Sequence, residues 1–524
     1  MILPRRLHAP RQDGAVVAEP PLAEAGQLLA GNRRRLAQAA PEILGRPWDD
    51  LRRQARQAAV AAARDYLRGA GEPVQPAGDA SLVMAGHQPE LFHPGVWVKN
   101  FALNHLARTE SATPVNLIVD NDTAKATALR MPCLDGPRVV SLAFDRWQGE
   151  IPYEEREVAD EDLFAELPGR AARVSADWGF VPLLPAFWEE VLRHAGRTRL
   201  LGERLVAARR TFERRWGCHN LELPVSRLCQ TEPFAWFVCH LLADLARFHG
   251  VYNAVVRDYR RTYHIRSRHH PVPDLAREGD WLELPLWAWR ADRPRRGRLL
   301  ARPGRDRLEL RVGDEPGPTL PAGKSAAAVA AWQDLERQGF KVRSRALTNT
   351  LYARLFLADL FIHGIGGGKY DELTDEIVRR FYGLEPPGYL VLSATLFLPF
   401  AASPANREGH SRLAGRLRDL HWNPQRHLDD GVPADPAARE LAARKQAWIT
   451  GQPADARGRR ERFHALHTLT EQLRAHVAGR EERLRQELAE YDHQLRANAV
   501  LRSRDYAFCL YPEPALRRFC RRFL

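Results

Sequence analysis

The chain has 524 residues, 27% charged and 44% hydrophobic, a balance that excludes disordered and fibrous classes and leaves room for two to four globular domains. Its net charge is +13, but the basic residues are nearly all Arg and are scattered among acids, so no nucleic-acid stripe is read from them. The six cysteines at 133, 218, 229, 239, 509 and 520 lack CxxC spacing, MILPRRLHAP lacks the apolar stretch of a signal peptide, and no apolar run spans a bilayer; the expected compartment is a reducing cytoplasm.

In chain order, residues 20–70 read as Ala-, Arg- and Leu-rich helices, followed by the linker GEPVQPAGDA at 71–80. Ser81–Ala85 is an apolar strand, and Gly86, His87, Gln88 and a loop ending in His93-Pro94-Gly95 follow it. An amphipathic helix then carries Val96, Val98, Lys99, Phe101, Leu103 and Leu106. A strand, a polar loop and a helix N-terminus are the usual anion cradle of an α/β domain, and Pro94 suits the first helical turn. The bland alternative is a βα turn whose histidines only cap and pack.

Pro114–Val119 is a second apolar run, ending in Asp120-Asn121-Asp122, where open α/β sheets place ligands. The bland reading has Asp120 and Asp122 capping a helix at ATALR, residues 126–130. A strand is expected at Arg138–Phe144, and helices near 185–215, 231–248 and 251–262. Cys229 and Cys239 read as small core hydrophobes. His269-His270 with Asp274 has metal-ligand chemistry, but HHPVPD is more simply a proline-fixed loop. Residues 281–313 alternate and predict a small antiparallel β-insertion, whose Trp281, Trp287 and Trp289 line a pocket or pack a core.

TNTLYARLFLADLF reads as a helix leading to His363-Gly364-Ile365-Gly366-Gly367-Gly368-Lys369, a loop that lets backbone approach a ligand closely. It has neither Walker A spacing nor a strict GxGxxG. Another helix starts near Tyr370-Asp371-Glu372 and carries Asp375, and YLVLSATLFLP at 389–399 is a core strand. From Phe463 to Leu495 apolar residues recur at three, four or seven, close to a heptad seam, with a kink or hairpin expected at Gly479. The aromatic tail is expected to dock on the body.

At these motifs the chain resembles a known family. GHQPELFHPGVWVK is similar to the GQQxGLFxGPLYxxxK stretch of the bacillithiol biosynthesis cysteine-adding enzymes, with Gly86, Gln88, Leu91, Phe92 and Lys99 on matching positions. PVNLIVDND stands where that family has PVFWVxxEDHD, and Gly366-Gly367-Gly368-Lys369-Tyr370 resembles its GGPGExxY. The resemblance implies a Rossmann-like parallel-sheet core, related to class I synthetases and nucleotidyltransferases, with a dimerising coiled-coil arm. His87 replaces a glutamine, DND lacks the histidine, Lys369 replaces a glutamate and Pro94 precedes its glycine, which implies a changed substrate.

The resulting expectation is an α/β fold: an N-terminal helical segment (1–75), a core in two parts (81–275 and 341–425), a β-rich insertion (276–340) and a helical arm with its tail (426–524). The expected activity joins an amino acid or amine to a small anionic molecule, or transfers a nucleotidyl group, with ATP or another nucleotide and Mg²⁺ as possible cofactors. His87, Gln88, His93, Lys99, Asp120 and Asp122 are the candidate catalytic residues; the aspartates would orient the amine, act as base or hold Mg²⁺. Gly86, His363, Gly364, Gly366, Gly367, Gly368, Lys369, Tyr370, Asp371 and Asp375 are candidate ligand contacts, with Lys369 as a charge clamp. A homodimer through the arm is expected, without membrane or nucleic-acid partners. A non-catalytic metabolite-binding protein and an RNA-associated protein are the alternatives.

Overall fold

A computed structural model describes residues 7–39, 41–74, 76–322, 326–428 and 435–524. The chain forms two compact units, one of residues 1–131, 141–398 and 504–524, the other of 132–140 and 399–503.

The first unit is built on a six-stranded sheet. Its strands are β1 (Val16–Glu19), β2 (Leu82–His87), β3 (Thr113–Ile118), β4 (Leu221–Pro224), β5 (Leu360–His363) and β6 (Leu390–Ala394), in the spatial order β1-β6-β5-β2-β3-β4. β1 is an antiparallel edge and the other five are parallel. The parallel strands are nearly continuous apolar runs because both faces are covered; every residue of β6 is buried. The chain runs outward from β2 through β3 to β4, then returns to place β5 on the other side of β2 and β6 beyond it. The strand order therefore reverses between β2 and β5.

Four helices of this unit carry residues of its polar edge: α1 (Trp48–Gly69), α2 (Pro94–Thr109), α3 (Leu201–Arg215) and α4 (Ile365–Ile377). α2 is fixed from below by a buried ionic group. Trp97 Nε1 and Asn100 Nδ2 donate to Glu213 of α3 at 2.6 and 2.7 Å, and Arg209 donates to the same oxygen at 2.6 Å. The tail packs on this unit, where the Phe508 ring lies 4.3 Å from Trp97 and 5.5 Å from Phe92.

The insertion is an antiparallel sheet of Trp281–Arg290, Arg293–Pro303, Arg307–Val312, Glu315–Pro321 and Phe340–Ser344. It is larger than the 281–313 pattern suggested, and Phe340–Ser344, expected to resume the core, is one of its edges. Trp289 is a core residue, whereas Trp287 lies between the guanidinium groups of Arg296 and Arg345, 4.7 and 4.1 Å from its centre.

Two other expectations change. Leu360 and Phe361, read as the end of a helix, lie with Ile362 and His363 in β5. The segment after Asp122 is no helix; Ala128–Cys133 is a strand, so the aspartates cap nothing there. HHPVPD is a loop whose Asp274 pairs with Arg260 at 2.6 Å, and no metal-ligating group of three occurs among the described residues.

The second unit contains Arg407–Trp422, Pro436–Thr450 and a single 46-residue helix, α5 (Ala456–Leu501). Gly479 neither breaks it nor makes a hairpin. Part of its apolar stripe is covered within the unit: Val477 and Leu484 pack with Leu413 and Leu420. That burial removes the need for a second chain over this stretch. No helix of the described residues is long and apolar enough to cross a membrane.

Candidate functional site

Three polar segments emerge at the carboxyl edge of β2, β3 and β5. Parallel pairing sets Ile362 beside Ala85, so β5 and β2 end close together, at His363 and His87. β3 pairs with β2 through His87 and Ile118, which brings Asp120–Asp122 to the other flank of the same loop.

At the end of β2, Gly86 is needed for close approach: a Cβ there would lie 3.0 Å from Leu117 Cβ. Lys99 of α2 reaches up from below, 4% exposed, and donates from Nζ to the Gly86 carbonyl at 3.1 Å. Burial pushes its pKa down to about 8. The His87 ring packs edge-on to Phe92 at 5.0 Å, and burial, then Lys99, pushes its pKa down to about 3. At pH 7 that leaves His87 neutral, able to offer a hydrogen bond but no charge.

His93 precedes α2 without capping it, and its Nδ1 is buried with no partner among the described residues. Gly95 abuts the Ala394 carbonyl and lies beside the Arg504 guanidinium, which itself donates to that carbonyl at 2.9 Å. The N-terminus of α2 is thus closed by protein and is not the expected anion cradle.

After β3 the two aspartates point apart. Asp120 accepts from the Ser226 backbone N–H at 2.9 Å and from its hydroxyl, and burial raises its pKa. Asp122 accepts from Gln88 Nε2 at 2.8 Å and from Arg296 at 2.9 Å. Arg296 also donates to the Asn121 carbonyl and to Thr123 Oγ1, both at 3.0 Å. The pair does not converge on one Mg²⁺ position.

After β5 the glycines are not a loop. Gly364 is the N-cap of α4, which starts at Ile365 and takes in Gly366, Gly367 and Gly368. The reason is close packing: a Cβ on Gly367 would stand 2.7 Å from His363 Nδ1, and one on Gly368 would collide with Val391 of β6. The first helical bond runs from the Gly368 N–H to the Gly364 carbonyl, so the N–H groups of Ile365, Gly366 and Gly367 have no helical acceptor. This is the open helix N-terminus of the site.

His363 is 5% exposed, and its Nε2 lies 2.8 Å from Asp371 of α4. Burial opposes ionisation of Asp371, but Arg354 at 2.7 Å and His363 outweigh it and hold the carboxyl well below the usual range. Arg354 also pairs with Asp375 at 2.6 Å. The Tyr370 phenol is raised by burial and then by Asp122 and Asp371, which places it within electrostatic reach of both segments. Lys369 forms no ion pair among the described residues, and its carbonyl accepts from Tyr259 at 3.0 Å.

The carboxyl edge thus carries His87, Gln88 and Asp122 on β2 and β3, and His363, Gly366, Gly367, Tyr370 and Asp371 on and after the neighbouring β5. Lys99 and Asp375 support it from behind, His93 faces the tail, and Asp120 faces the next space along the edge. Arg296 was missed because it lies 174 residues from Asp122 and is one arginine among many. No protein-family model matches the chain, and no curated protein matches it.

Proposed function

We propose that this protein is an enzyme that joins an amine or amino acid to a small anionic molecule, with nucleotide-dependent activation of the acid. The first unit is then a Rossmann-like core, in which the crevice at the reversal of strand order is the ligand site. Ligase chemistry of the cysteine-adding type fits the motifs at the three strand ends. One observation carries it: the polar ends of β2, β3 and β5 meet at the reversal between β2 and β5, beside an open helix N-terminus.

In this reading an anionic oxygen, of phosphate or of a developing tetrahedral centre, accepts from the N–H groups of Gly366 and Gly367. Gln88, held by Asp122, and neutral His87 supply further hydrogen bonds. With Nε2–H donated to Asp371, the His363 Nδ1 lone pair faces the first turn of α4 and takes the proton of the attacking amine. A nucleotide, when bound, supplies the leaving group for the acid, and its phosphates would lie on the same N–H groups. Any Mg²⁺ would come with the phosphates.

Thermal-shift titration with Mg·ATP, inorganic pyrophosphate and amino acids tests this. A ligand at a hundred times its Kd stabilises by about 2.7 kcal/mol. Mg·ATP or pyrophosphate should stabilise the wild type, and His87→Ala should weaken that by about tenfold or more in affinity. No shift with either, or an unchanged shift in the variant, contradicts the proposal.

A further inference from the structure

Beside the crevice lies a second space of about 540 Å³, at the carboxyl ends of β3 and β4. Gln88 and Pro89 are its partition: Gln88 turns to Asp122, while Pro89 lines the cavity. In a chain of net charge +13 its wall carries five carboxylates, Asp65, Asp120, Glu154, Glu203 and Glu336, against Arg227 and Lys341. Glu154 and Glu336 are both held by Arg343, at 2.8 and 3.0 Å, and Lys341 by Glu155 at 2.5 Å. Glu203 of α3 has neither an ion pair nor a hydrogen bond to its side chain among the described residues.

A second feature is independent of the acids. Tyr66 of α1 and Tyr153 both line the cavity and are each 4% exposed. Neither hydroxyl has a hydrogen-bond partner among the described residues. The residues are buried but their oxygens are reachable from the cavity, so each can meet a polar occupant there. Both can accept from an ammonium group as well as donate to a carboxylate.

The geometry points to a binding site for a small molecule carrying a primary ammonium group, held by Glu203 and Asp120 and by the hydroxyl of Tyr66. This rests on the proposed ligase reading only for its use, since it would store the amine one residue away from the crevice. Binding of the cation itself stands without that reading. Burial raises the pKa of Asp120 against its Ser226 hydrogen bonds and Arg343, and that of Glu203 against Arg227 and Arg210.

Isothermal titration of the full chain with putrescine, against the uncharged 1,4-butanediol, tests the site. Putrescine should bind saturably and the diol should not. Glu203→Gln and Tyr66→Phe should each weaken putrescine by about tenfold, the effect of losing one charge-assisted or buried hydrogen bond. Glu203→Gln removes no hydrogen bond or ion pair among the described residues and keeps the side chain's size. Pyrophosphate titration of the same variants reads the crevice separately. Putrescine binding that falls in the variants supports the site even where pyrophosphate fails to bind. No saturable putrescine binding, equal binding of the diol, or affinity unchanged in both variants overturns it, whatever pyrophosphate does.

Discussion

Lys99 shows how a single residue of this site is held at a cost. It is one of only six lysines, it is 4% exposed, and its one hydrogen bond among the described residues is to the Gly86 carbonyl. A folded pKa of about 8 against an ordinary 10.5 corresponds to a burial penalty on the order of 3 kcal/mol at neutral pH. The sign is fixed by proton counting. Below about pH 8 the lysine is charged in both states, and the penalty stands in full. Between about 8 and 10.5 the folded state releases its proton first, so stability rises with pH. Lys99→Met should therefore equal or exceed the wild type in denaturant stability at pH 7, and should lack the lysine's contribution to the rise above pH 8. Anion binding should fall, because the Gly86 carbonyl and the loop after it lose their anchor. A variant that is both less stable at pH 7 and unchanged in anion affinity would make Lys99 a packing residue.

At the scale of elements, the decisive contact is α4 against β5 and β6. Glycines in a helix cost about 1 kcal/mol each relative to alanine, so the run 366–368 needs a reason. Gly366 faces open space apart from Tyr370 Oη at 3.4 Å, while Gly367 is pressed on His363. Gly366→Ala should raise stability by up to about 1 kcal/mol. Gly367→Ala should lower it by about 1–2 kcal/mol, because overpacking exceeds the helix gain, and should displace the His363 ring. Denaturant unfolding of the two variants checks this, and equal effects of the two would contradict the packing account. Much of this element pattern was legible in the sequence. Leu82–His87, Thr113–Ile118 and Leu390–Ala394 are apolar runs bounded by polar residues, as buried parallel strands are. β5 was not legible, because LFLADLFIH continues a helical apolar pattern with no glycine or proline between them. β1 depends on antiparallel pairing with β6 across nearly the whole chain, which no local pattern reports.

At the scale of the molecule, the strand order decides which ends are neighbours. The GHQ, DND and glycine motifs were each visible, and their strands are neighbours because β5 inserts beside β2 after an excursion of more than two hundred residues. The same excursion supplies Arg296. The arm shows the opposite case: its apolar stripe was read as needing a partner chain, and its own neighbours cover Val477 and Leu484. The chain also offers a competing anion surface, with Arg517, Arg518, Arg521 and Arg522 on and just after the last helix. That surface makes simple binding of an anion insufficient as support. The measurement that decides is a crystal structure of the full chain with Mg·ATP. Phosphate oxygens are expected within about 3 Å of the Gly366 and Gly367 N–H groups, next to His87 and Gln88. Nucleotide bound only on the C-terminal arginines, with the first turn of α4 unengaged, would contradict the proposed site.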